Sequence, residues 1–413
     1  MPQGSILGPL LSPIYMNDIV DATSTNIHLY AGDSSIYVTG NNDIEMAMKL
    51  NEDLQSISKW SKTWHVKFNP TKTVNVLFTR RNQYNRVPLQ MDGIQIKDTD
   101  KHTHLGCTLQ SNGKWNSHIK SLLEKNYKKI DVLRSLRFTI DRKTLELLFH
   151  CYIRPSIEYC STVWTNISKQ QRKDIEDLQL AAARIVTGAI KGTKHAEIYE
   201  ECRWLTTSER RERRNKITFY KIMHNQAPAY LKDIIPPQRM ENTGYNLRNR
   251  DNLQLIHART TSHQTSFFPS QVRVWNSLPP EIRHIGSVRD FKVHLALSDK
   301  KCKKYYYAGS RYGQIIHARM RMGCSPLRHD LKQMKVVEEE KCDCGHDVED
   351  VEHFFQHCTL YTNIRNTLMQ NNIHDGLSLN THTLLYGDDN IPTKYNSLLF
   401  QRVIDYIIKS NRF

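Results

Sequence analysis

Residues 27–39 read IHLYAGDSSIYVT. Two short runs rich in β-branched and aromatic residues flank Ala31-Gly32-Asp33-Ser34. Apolar runs bounded by turn residues at this spacing predict two antiparallel strands joined by a tight turn. Asp33 then stands at the turn, where a carboxylate is placed to hold a metal ion. Asp and Gly are also ordinary turn residues, so the hairpin takes its meaning from the segment upstream of it.

That segment is MPQGSILGPLLSPIYMND, residues 1–18. This run, followed by the apolar Tyr30-Ala31-Gly32-Asp33 turn, resembles the middle of a reverse transcriptase, in particular those of non-LTR, LINE-type retrotransposons. The resemblance implies that Pro2, Gln3, Gly4 and Ser5, with Leu7, Gly8 and Pro9, form the template-and-nucleotide motif of a polymerase palm. It also implies that Tyr30, Ala31, Gly32 and Asp33 are the active-site turn, with Asp33 catalytic and Mg2+ the metal. The chain departs from the family pattern at Gly32, where the family has a second Asp. The palm segment bearing the other metal-binding Asp is expected upstream of residue 1. The resemblance therefore implies an N-terminally truncated, catalytically inactive derivative, or a non-catalytic nucleic-acid-binding protein of the same descent.

The chain has 413 residues, enough for two or three domains, and a formal net charge of +16. Such a surplus favours a polyanionic partner, nucleic acid first; the resemblance narrows this to an RNA template and a DNA primer or target. Nine cysteines and a polar opening motif instead of a secretory leader predict reduced thiols in the nucleus or cytoplasm, with no disulfide-linked partner and no secretion. No apolar run approaches the roughly 18–20 residues of a membrane span.

Beyond the hairpin, Ile44, Ala47, Leu50, Leu54, Ile57, Trp60 and Trp64 recur at helical spacing, and Asn42 with Glu45 fits a capping box. Residues 65–79, HVKFNPTKTVNVLFT, read as two strands interrupted at Asn69-Pro70-Thr71. The resemblance puts Lys72 near the incoming triphosphate, as a proton donor to pyrophosphate. Asp92-Gly93 predicts a two-residue primed turn. His104, Leu105 and Gly106 read as part of an alternating strand, and the resemblance makes them the primer grip, with His104 where Tyr is commoner. From Trp115 to Met223 the pattern is helical, with helices expected near 142–152, 170–187 and 207–225. The basic segment 203–221 reads either as a phosphate-tracking surface or as a solvated helix face. Residues 227–271 read as a partly ordered connector.

The last chemical signal is Cys342-x-Cys344-Gly345, then His353 and His357-Cys358. Three Cys and one His suit tetrahedral zinc. His353 is the preferred fourth ligand, because His357 adjoins Cys358 and would aim elsewhere on a regular element. Similar clusters follow the reverse transcriptase in many LINE-type proteins. Tyr386-Gly387-Asp388-Asp389 imitates a polymerase turn, but no template motif precedes it, and it reads as a surface turn. The expected fold is α+β: a partial palm of antiparallel strands plus helices over 1–118, a mainly helical thumb-like region over 119–226, a connector over 227–300, and a small zinc-type C-terminal module over 301–413.

Overall fold

The computed structural model describes residues 6–79, 81, 85–239, 251–297, 302–367 and 379–413. Pro2, Gln3, Gly4 and Ser5 therefore lie outside the described residues. The chain divides into two compact units, Met1–His118 and Ile119–Phe413.

The first unit is built on α2, Asp43–Thr63. Asn42 caps it through Oδ1, which accepts from Ile44 N at 3.0 Å, and its amide donates to Glu45 Oε1 at 2.9 Å. The Asn–Glu pair thus caps through the Asn side chain; in a full capping box Glu45 would reach the backbone N–H of Asn42. Ala47, Leu54, Ile57 and Trp60 bury one face of this helix against Ile19, Leu89, Met91 and Ile96, whereas Ile44 and Trp64 stay exposed. Ahead of it come α1, Gly8–Tyr15, then a tight turn over Asn17–Ala22. Strands β1 (Asn26–Tyr30) and β2 (Asp33–Tyr37) pair antiparallel, Tyr30 opposite Asp33.

The remaining strands do not join this hairpin into one palm sheet. Among the described residues they form three further two-stranded ladders, each separate from it. β3 (Val74–Asn75) pairs with β6 (Lys97–Asp98), and that ladder is parallel. β4 (Gln90–Met91) and β5 (Ile94–Gln95) are joined by Asp92 and Gly93, both at positive φ (50° and 76°), as the primed turn requires. Of the two strands expected in residues 65–79, only Val74–Asn75 forms. The Asn69 side chain closes the preceding turn by accepting from Thr71 N at 3.1 Å.

The second unit is helical. It opens with α3 (Asn116–Ser135), α4 (Arg142–Leu148), α5 (Arg154–Glu158), α6 (Lys169–Thr187), α7 (His195–Cys202) and α8 (Thr207–Met223). Full capping boxes open α6 (Ser168 with Gln171) and α8 (Thr206 with Glu209). Residues expected to be a partly ordered connector also carry core. Helices Phe267–Ser277 and Val288–Ala296 bring Val272, Trp275 and Phe291 onto Phe219 and Tyr220 of α8. Asn276 exchanges two hydrogen bonds with the Leu253 backbone, both 2.9 Å, imitating a strand partner.

A buried ion network ties distant parts of this unit together. Glu201, at the end of α7, accepts from Arg142 Nη1 at 2.5 Å and from Arg321 Nε and Nη2 at 2.8 and 2.7 Å. Arg142 also reaches Glu146 at 3.1 Å, and Glu146 accepts from Tyr307 at 2.6 Å. The last core cluster gathers Phe354, Phe355, Phe400, Val403, Tyr406 and Ile407 around the closing helix Thr393–Lys409. The YGDD imitation sits beside it as a joint. Gly387 is buried at φ 74°, Asn396 brackets the Asp388 backbone with bonds of 2.9 and 2.8 Å, and Asp389 pairs with Lys303 at 2.8 Å.

Candidate functional site

The Tyr30–Asp33 turn projects from the first unit. Ile27 and Ile36 pack its far end on the core, while Tyr30, Ala31, Gly32 and Asp33 are exposed. Ala31 takes the positive φ of the turn (50°), and Gly32 does not. A Cβ at Gly32 would meet nothing within 4 Å. No crowding or backbone constraint therefore requires glycine there.

The hairpin is held at its base by an acid that the sequence did not single out. Asp53, on the buried face of α2, accepts from Ser24 N at 2.7 Å, Ser24 Oγ at 3.0 Å, Thr25 N at 3.0 Å and the Thr25 hydroxyl. Burial pushes this carboxyl up, but the four donors outweigh it and hold it below the ordinary Asp range. The one available signal was an Asp on the apolar stripe of a helix.

Leu7, Gly8 and Pro9 enter α1, whose Leu10, Leu11 and Ile14 are exposed. Lys72 is exposed on the Asn69 turn. His104, Leu105 and Gly106 do not lie along one strand. They form the corner between β7 (Lys101–His104) and β8 (Cys107–Gln110), with Leu105 at φ 45° and Gly106 at φ 79°. Leucine at positive φ is unusual, and the alternating pattern hid the turn.

Among the described residues, one group of three or more His, Cys, Asp or Glu side chains converges as metal ligands would, and it is Cys342, Cys344, His353 and Cys358. Asp18, Asp21 and Asp33 are outside it. The four ligand atoms lie within 4.8 Å of one another. Cys342 Sγ and Cys358 Sγ are 3.8 Å apart, and Cys344 Sγ is 3.2 Å from His353 Nε2. Zinc–sulfur bonds of about 2.3 Å at a tetrahedral centre put two sulfurs about 3.8 Å apart, so the donor set fits zinc. A tight turn sets the first pair: Gly345, at φ 96°, donates to Cys342 O at 2.9 Å. A wide helical turn over His353–His357 sets the second, and Cys358 N donates to His353 O at 2.7 Å. His353 is buried and faces the sulfurs; His357 is exposed, 4.0 Å from Glu352. A tetrahedral ion held by these four side chains would have no open position left for a substrate.

In the basic segment 203–221 several guanidiniums are bonded within the fold. Arg210 and Arg214 both bond Glu158, Arg211 lies 4.3 Å over the Trp164 ring, and Arg213 donates to Leu295 O. These guanidiniums are structural fasteners, and burial pushes Arg211 down to about 10.

Residues 1–109 match the family described as reverse transcriptase (RNA-dependent DNA polymerase). The curated relatives extend the likeness. A probable RNA-directed DNA polymerase from transposon BS of Drosophila melanogaster is 28% identical over 212 residues, covering 47% of this chain and 23% of the relative. The RNA-directed DNA polymerase from mobile element jockey of Drosophila funebris is 26% identical over 203 residues, 46% of this chain and 22% of the relative. That from transposon X-element of Drosophila melanogaster, termed probable, is 20% identical over 250 residues, 58% and 27%. The kinship is with the reverse transcriptases of non-LTR retrotransposons, and the chain spans about a quarter of the length of these relatives. No solved structure matches the chain. Among the described residues no helix is long and apolar enough to cross a membrane, and the nine cysteines are free thiols.

Proposed function

We propose that this chain is a nucleic-acid-binding member of the non-LTR reverse transcriptase lineage that has no polymerase activity of its own. The observation that carries the reading is Gly32. Two-metal nucleotidyl transfer needs carboxylates that hold two divalent ions about 3.5–4 Å apart, one activating the attacking hydroxyl and one stabilising the leaving pyrophosphate. At the turn, Asp33 supplies a carboxylate and Gly32 supplies none. No converging group among the described residues includes Asp33. The pair of Mg2+ ions that the family implies does not fit these residues.

What supports binding is the charge of +16 together with the exposed motif surfaces. Leu7, Gly8, Pro9 and Lys72 are the contacts for template and triphosphate, and the His104–Gly106 corner is the contact for the primer. In this reading residues 119–226 are the thumb-like region, 227–300 connect it to the C-terminal part, and 301–413 form a module closed by zinc. RNA template and DNA primer are the partners, and the protein works inside the cell, in the nucleus or cytoplasm. The test is filter binding of a primer–template across a salt series: the reading expects affinity to fall steeply as salt rises, and a flat slope overturns it.

A further inference from the structure

Two of the four converging ligands, His353 and Cys358, stand at the two ends of one wide helical turn. A liganding histidine is usually oriented by a hydrogen bond from its second ring nitrogen. Here Nε2 is the nitrogen that lies 3.2 Å from Cys344 Sγ, and Nδ1 is buried with no hydrogen-bond partner among the described residues. The ring is flanked by His346, stacked on it at 4.2 Å and 16°. That leaves ring packing and the backbone to fix where His353 points.

Two side chains grip that backbone. At the start of the turn, Asp350 Oδ1 accepts from His353 N at 2.7 Å. At its end, Arg365 donates from Nε to Phe355 O at 2.8 Å and from Nη2 to Cys358 O at 2.7 Å. The last carbonyls of a helical turn lack partners within it, and the planar guanidinium fork reaches two of them at once. Phe355 and Cys358 are both buried, where water does not readily replace a lost charged donor.

Charge points the same way. Three thiolates outweigh a divalent cation by one negative charge. Residues 338–352, which carry three of the ligands, already hold eight Asp and Glu against one Lys. Arg328 and Arg412 answer carboxylates of this segment, Asp343 and Glu349, each at 2.6 Å. Arg365 instead brings its charge to the main chain of a ligand.

We propose that Arg365 is the positioning residue of this donor set: it locks the His353–Cys358 turn in ligand geometry and sets a positive charge beside the thiolates. The proposal rests on the zinc reading of the cluster and adds to the four ligands a residue that touches no metal.

The test follows zinc release from the full chain, purified with zinc bound, to an excess of chelator. Arg365→Gln removes the charge and the fork, Arg365→Lys keeps the charge without the fork, and Lys341→Gln removes an exposed cation next to Cys342. Cobalt(II) in place of zinc reports the ligand geometry through its thiolate charge-transfer absorption. The expected result is release about tenfold or more faster in Arg365→Gln, the usual scale for losing a residue that orients a ligand. Arg365→Lys should be intermediate and Lys341→Gln unchanged, and the cobalt spectrum should change in Arg365→Gln. Thermal melts should separate Arg365→Gln from the natural chain with zinc bound and not without it. Release at the natural rate in Arg365→Gln overturns the proposal. So does equal acceleration in Lys341→Gln, because charge without position would then suffice, and so does an equal loss of melting temperature with and without zinc. Should Arg365→Gln not fold, Arg365→Lys decides on the same release rate. A natural chain that holds no zinc overturns the zinc reading and this proposal together, whereas a zinc-loaded chain indifferent to Arg365 overturns this proposal alone.

Discussion

Replacing Glu201 by Gln tests the ion network that holds the second unit together. Glu201 is buried and receives three charge-assisted hydrogen bonds, one from Arg142 and two from Arg321. A glutamine presents one acceptor oxygen and turns an NH2 group toward a guanidinium. Two buried cations then lose the carboxylate they share, a change that costs about 3–5 kcal/mol where one partner of a buried ion pair is removed. Burial pushes the Glu201 carboxyl up, but Arg321 and Arg142 outweigh it and hold it below the ordinary Glu range. Because its folded pKa is lowered, the stabilisation is fully present above the unfolded value of about 4.3 and fades as pH falls below it. Urea unfolding of the natural chain and of Glu201→Gln at pH 7 should therefore differ by several kcal/mol, and the gap should narrow at acid pH. A difference below about 1 kcal/mol at pH 7 would refute the assignment of Glu201 as the keystone, since that is the scale of an exposed pair.

Asp53→Asn should destabilise the first unit by about 2–3 kcal/mol, because two of the four donors lose their acceptor and the other two face a neutral one. Its folded pKa is lowered, so that loss should shrink as pH drops below about 4, which melts at several pH values will check. Gly313→Ala should cost about 1–3 kcal/mol in urea unfolding, because a Cβ there would meet Ile404 Cγ2 at 2.3 Å in a close-packed helix contact. Metal analysis of the purified chain should find one zinc per molecule, reduced in His353→Ala and unchanged in His357→Ala; equal loss in both would reject the ligand assignment.

Local pattern carried the features whose partners lie close in sequence. The Ala31-Gly32 turn and the Asp92-Gly93 turn are each set by residues a few positions apart, and the helix starts at Ser168 and Thr206 are set by their own third residues. The cysteine cluster was legible from its residue types and the resemblance, while its spacing alone left both His353 and His357 as candidates for the fourth ligand. What sequence hid was long-range pairing. Glu201 and Arg321 meet across 120 positions, and Asp53 meets Ser24 across 29. The arginines of 203–221 look like a free basic surface until Glu158 and Trp164 are seen against them. The connector read as only partly ordered because Pro, Asn and Gln break its periodicity, yet Trp275 and Phe291 beyond that stretch reach the face of α8. Charge and periodicity state what a residue is able to do, and only the fold states what it is already bonded to.

The most direct test of the account is RNA-templated primer extension by the purified natural chain with Mg2+, run beside a catalytically competent reverse transcriptase as the positive control. The account predicts no extension by this chain, because Gly32 leaves the turn with the Asp33 carboxylate alone. Growth of a DNA strand on the RNA template by the natural chain would contradict it.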